Sequence, residues 1–80
     1  MDNERVLLRV LRAAQQPRAA TQSQMARKAG LTTARYWEIE NGEGKSTSAD
    51  ERHAVAAAFG VDESTIAWPQ VHPRLQAQAS

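Results

Sequence analysis

The apolar positions of this chain fall into short stripes at helical spacing, separated by polar breaks, and no alternating run marks a strand. Val6, Leu7, Val10, Leu11 and Ala14 line up opposite Arg5, Arg9 and Arg12, which predicts an amphipathic first helix capped by Asp2 or Asn3 and running to about Gln16. Pro17 stops it. Thr21 and Gln24 make a Thr-x-x-Gln capping box for a second helix over about Gln22 to Ala29, and Gly30 offers a left-handed exit. Thr32 is placed to cap a third helix to about Glu40, ended by Asn41-Gly42. Glu43 to Thr47 reads as a polar loop, and Ser48 with Glu51 repeats the capping box at the head of a fourth helix ending near Phe59 and Gly60. Asp62 caps a short fifth helix through about Ala67, with Pro69 and Pro73 against its continuation. The expectation is an all-α, compact five-helix domain over residues 1–68, followed by a flexible tail over 69–80 whose last residues carry little apolar content.

Thr21 to Gly42 carries the most information. Ala26 sits where two short helices approach closely, and Met25, Ala29, Leu31, Tyr36 and Ile39 fall on their shared inner face. Two helices crossing at a tight turn are a helix-turn-helix; in its DNA-binding versions the second helix lies in the major groove and its outward residues read sequence.

At 80 residues there is room for one modest core. The absence of cysteine excludes a disulfide framework and a thiolate metal site, and a reducing cytoplasm is the default expectation. The longest apolar runs are short and broken by charge, so no bilayer span or targeting core is expected. A net charge of +1 says little by itself, but its distribution does. Met1 to Trp37 holds Arg5, Arg9, Arg12, Arg18, Arg27, Lys28 and Arg35 against only Asp2 and Glu4, whereas acidic residues dominate afterwards. Attraction to phosphates depends on charge at the contact, and the half holding the motif is the basic one.

Thr21-Gln22, Met25-Ala26, Gly30-Leu31-Thr32, Ile39-Glu40-Asn41-Gly42 and the later Ala58-Phe59-Gly60-Val61 together resemble the lambda-repressor and Cro-type helix-turn-helix family, often called the XRE family. Three features depart from the family pattern: a longer, proline-containing linker between Arg12 and Gln22, a longer loop after Gly42, and Arg52 where an apolar residue is usual. The resemblance implies that Thr33, Ala34, Trp37 and Glu38 read bases from the third helix. Thr33 could bond a base edge, Ala34 could touch a thymine methyl, and Glu38 could accept from a cytosine amino group. Trp37 has two readings, packing on sugars and methyls or half-buried against a loop. Gln22 would bond a phosphate, its alternative being helix initiation. Arg35 would reach a phosphate more readily than a base, and Asn41, Lys45 and Ser46 would grip the backbone, with Arg9, Arg18, Arg27 and Lys28 as further phosphate candidates. Arg12 and Glu40 would form a structural ion pair, and Tyr36 belongs to the core with its hydroxyl at the rim.

The expected partner is double-stranded DNA, a pseudo-palindromic operator bound by a possible homodimer, with regulation of transcription by repression. Ile66 and Trp68 are either contacts for a second subunit or the last pieces of the core. No cofactor, metal, membrane or small-molecule ligand is expected. An enzyme is poorly supported, because His53 and His72 have no spaced partners and Gly42 to Ser46 lacks the spacing of a phosphate loop. The competing class is a helix-turn-helix used as a protein-interaction module, an antitoxin or adaptor, which acidic Glu38 and aromatic Trp37 would suit.

Overall fold

A computed structural model describes residues 5–70. The expected cap at Asp2 or Asn3, His72, and most of the expected tail lie outside the described residues. In chain order the elements are β1 (Val6–Leu7), α1 (Leu8–Ala13), α2 (Gln22–Ala29), α3 (Thr33–Asn41), α4 (Ala49–Phe59), a 3-10 turn (Glu63–Thr65) and β2 (Ile66–Ala67).

The central helices begin and end where local chemistry dictates. The Thr21 hydroxyl accepts from the Gln24 amide at 3.1 Å, and the Gln24 side chain accepts from the Thr21 amide at 2.9 Å. Ser48 and Glu51 repeat that exchange at the head of α4, at 3.1 and 2.9 Å. Thr32 accepts from the Arg35 amide at 3.0 Å and so starts α3 only two residues after α2 has closed at Gly30. Gly42 ends α3 with φ +71°, and a Cβ there would stand 3.1 Å from the Gln70 carbonyl and 3.2 Å from Pro69 Cβ. Only glycine fits both the backbone angle and the segment laid over it.

Among the described residues there are four α-helices, and two expectations are corrected. The fifth helix is a single 3-10 turn, after which Ile66 and Ala67 pair in parallel with Val6 and Leu7. With Pro69 close behind, a helix here could be little more than a turn; pairing with β1 gives these peptide groups partners and puts Ile66 in the core. The first helix is shorter than expected, because its first apolar pair is in that strand. It also ends early: the Arg12 carbonyl accepts from the Ala20 amide at 3.0 Å across the linker. Its buried residue is Leu8, with Leu11 partly covered, while Leu7 and Val10 are 42% and 50% exposed.

Leu8, Met25, Ala26, Tyr36, Ile39, Val55, Ala56 and Ile66 form one core, in which α2 packs against both α3 and α4. Trp68 is packed on its edge with its indole N–H donating to the Glu63 carbonyl at 3.1 Å, and the Arg52 guanidinium lies 6.0 Å from the indole centroid. Ile66 therefore belongs to the core of this chain, and Trp68 packs against it, partly buried.

Tyr36 is fully buried, and its hydroxyl, expected at the rim, is enclosed without a hydrogen-bond partner among the described residues. Burial, reinforced by the charge of Glu40, holds it above the ordinary phenol pKa. Removing a buried donor that has no partner costs little, so Tyr36→Phe should change stability by at most about 1 kcal/mol, in the stabilising direction, by urea denaturation. A loss larger than that would mean the hydroxyl bonds Glu40 in solution.

Candidate nucleic-acid interface

The turn between α2 and α3 places the head of each helix on one side of the molecule. Ser23 Oγ, on the second residue of α2, and Thr33 Oγ1, on the first residue of α3, stand 3.4 Å apart. From there α3 runs with Tyr36 and Ile39 facing the core and Thr33, Ala34 and Trp37 uncovered, the indole 45% exposed. An aromatic of that size left in water on a helix whose opposite face is fully buried is available for a partner.

Behind this row, Glu40 ties three elements together. Arg12 Nε and Nη2 donate to its two oxygens at 2.9 and 2.8 Å, and Arg12 Nη1 reaches the Ala20 carbonyl at 3.2 Å. Gln22 Nε2 donates to Glu40 Oε2 at 3.2 Å. Burial alone would raise the Glu40 pKa, but its polar neighbours, Arg12 above all, overcome it and hold the carboxyl below its ordinary value. The first residue of α2 is thus braced from α3, with one amide hydrogen used and the other open.

Arg35 is engaged from within the chain. Its Nε and Nη2 donate to the two oxygens of Glu51, both at 2.8 Å. Nη1 reaches Glu38 Oε1 at 3.0 Å and the Lys45 carbonyl at 3.2 Å, and Nη2 also reaches the Ser46 carbonyl at 3.2 Å. All three nitrogens are engaged and the side chain is only 12% exposed. Two carboxylates and two carbonyls thus surround the guanidinium that was expected to reach a phosphate. Glu38, expected to read a base, has one oxygen engaged in the same cluster. Glu51 was visible in the sequence only as a capping residue. The hydrogen bonds from Arg35 are the main reason its pKa falls to about 2.

Asn41 is exposed, its amide donating to the Trp37 carbonyl at 2.9 Å, and Lys45 and Ser46 are exposed on the loop beyond α3. Arg9, Arg18, Arg27 and Lys28 are also exposed, and none is in an ion pair among the described residues. Arg18, Arg27 and Lys28 rim an open hollow of about 490 Å³ between the linker and α2. Uncovered cations thus flank the α2–α3 unit, whereas the cation of α3 itself is internally neutralised.

No helix among the described residues is long and apolar enough to cross a membrane. A family model described as a helix-turn-helix domain matches residues 6–68, from β1 to Trp68. Comparison with curated proteins and with solved structures gives no match.

Proposed function

The chain belongs to the helix-turn-helix domain family, and from that premise we propose that it is a sequence-specific double-stranded DNA-binding regulator of transcription, acting as a repressor by occupying a promoter. In this reading α3 enters the major groove, as the likeness to the XRE family implies, and Thr33, Ala34 and Trp37 meet base edges and thymine methyls. Glu38 borders that row with its second oxygen available to a cytosine amino group. Gln22, held by Glu40, donates its remaining amide hydrogen to a phosphate at the head of α2, where free backbone amides also favour an anion. Lys45, Ser46 and Asn41 meet the backbone on the other side. The observation that carries the reading is the uncovered row of α3 itself, exposed between two flanks that offer phosphate donors.

We read the operator as pseudo-palindromic and bound by a homodimer. Since Ile66 is a core residue and Trp68 packs on its edge, a subunit contact would use other apolar positions, and among the described residues Leu7 and Val10 are large exposed ones away from α3. Selection of bound sequences from a random duplex library, with the winner titrated across a salt series, tests the whole reading. A symmetric enriched motif with steep salt dependence is expected. A folded protein that enriches no motif would instead support the second reading, a protein-interaction module such as an antitoxin or adaptor, which the exposed Trp37 favours.

Within the first reading, Lys45→Ala should weaken every duplex to a similar degree and lower the salt slope by about one unit for the lost phosphate contact. An unchanged slope would place Lys45 away from DNA.

A further inference from the structure

Arg35 joins three pieces of chain that have no other common anchor among the described residues: the middle of α3, the loop after it, and the head of α4. The Glu51 oxygen that accepts from Arg35 Nη2 also accepts from the Ser48 amide at 2.9 Å, so one carboxylate closes both the α4 cap and the arginine contact. On the other side the loop folds onto Glu38. Gly44 has φ +73°, and a Cβ there would come within 2.7 Å of the Glu38 carboxylate. The carbonyls of Lys45 and Ser46 turn inward to Arg35, while both residues remain exposed.

We propose that Arg35 is a positioning residue that makes no contact with DNA: by gathering Glu51, Glu38 and the Lys45 and Ser46 carbonyls on one guanidinium, it holds the loop in the shape that presents Lys45 to phosphate and keeps the Glu38 charge tethered beside the reading row. The proposal rests on the DNA-binding reading above. It assigns a role to the loop's departure from the family pattern: extra chain beside the reading helix is free to sample many shapes, and bonds to its carbonyls remove that freedom before DNA arrives. It also gives the acidic residue at position 38 a cation within its own helix, which it shares with Glu51.

Glu51→Gln separates positioning from direct contact by the sign of its effect. Glutamine still serves as the third-residue partner of a capping box, so α4 keeps its start, but it cannot supply both oxygens to Arg35. Removing a negative charge near bound DNA should by simple electrostatics strengthen binding, and an Arg35 that gripped phosphate would be released to do so. The clamp gives the opposite expectation. Binding to a random-sequence duplex, followed by fluorescence anisotropy across a salt series, should weaken roughly five- to tenfold in both Glu51→Gln and Arg35→Met. The salt slope should fall in both as it does in Lys45→Ala, even though Glu51 has no phosphate contact to lose. In the free protein the amides of residues 43–47 should exchange faster while core amides of α2 and α3 keep their protection.

Tighter binding by Glu51→Gln, or loop exchange unchanged in that variant, overturns the clamp. Should Arg35→Met fail to fold, Glu51→Gln decides alone. Wild-type protein that is folded and binds no duplex at any salt overturns the DNA reading, and with it a DNA role for the clamp. A wild type that binds while Glu51→Gln binds more tightly removes only the clamp.

Discussion

Arg12→Met is expected to lower the unfolding free energy by about 3–5 kcal/mol, the cost of leaving a buried carboxylate without its partner. The Glu40 side chain is 5% exposed and loses two hydrogen bonds at once, keeping only the longer one from Gln22. Native domains are stable by about 5–15 kcal/mol, so the variant should lose a large share of its margin. A well-packed apolar pair costs less than an unpaired charge, so adding Glu40→Leu to Arg12→Met should recover part of the loss. Urea denaturation of the single and double variants checks both statements, and a single-variant loss under about 1 kcal/mol would mean that Glu40 is solvated or protonated in solution.

That pair and the Arg35–Glu51 pair give the domain an acid limit. Glu40 is held below the ordinary carboxyl value of 4.5 and Glu51 is lowered to about 2. A group whose folded pKa is depressed stabilises the fold above its unfolded pKa, and that contribution disappears as pH falls through the folded value. Stability should therefore begin to fall below about pH 4.5 and go on falling towards pH 2. Arg12→Met should flatten the part of the curve that belongs to Glu40, leaving the Glu51 part in place.

The parts of the fold legible in the sequence are those fixed by contacts a few residues apart. Thr21 with Gln24, Thr32 with the Arg35 amide, and Ser48 with Glu51 act within one turn, so α2, α3 and α4 start where their side chains say they should. The two ends of the domain were not legible, because they are fixed by each other. Val6 and Leu7 have helical spacing with Val10 and Leu11, and only their pairing with Ile66 and Ala67, at the far end of the chain, makes them extended. Two-residue strands are too short to show alternation.

The site divides in the same way. The uncovered row of α3 follows from the 3.6-residue period once Tyr36 and Ile39 are placed inside, and the sequence shows that much. The state of Arg35 does not follow from its position on the helix. It depends on Glu51, sixteen residues away, and on loop carbonyls whose direction no side-chain pattern reveals. Glu51 was accounted for by its capping role, which hid its second partner, although an arginine beside two carboxylates that fold next to one helix end is a signal worth weighing.

Trp37→Ala is expected to separate function from stability more cleanly than any other change on α3. Nearly half of the indole already lies in water, so truncation should leave the fold almost intact, with Tm shifted by no more than a few degrees, about the effect of 1 kcal/mol in a domain of this size. On the selected duplex the loss should be roughly 30- to 100-fold, about 2–3 kcal/mol, if the indole packs on sugars and thymine methyls in the groove. That loss should be greatest for the preferred sequence and smaller for a random duplex, with the salt slope unchanged, because an indole displaces no counterion. Lys45→Ala should show the reverse, a uniform weakening with a lower slope. Should Trp37→Ala bind the selected duplex as the wild type does, the exposed aromatic has no part in DNA recognition, and the protein-interaction reading gains the one residue on this surface best suited to anchor it.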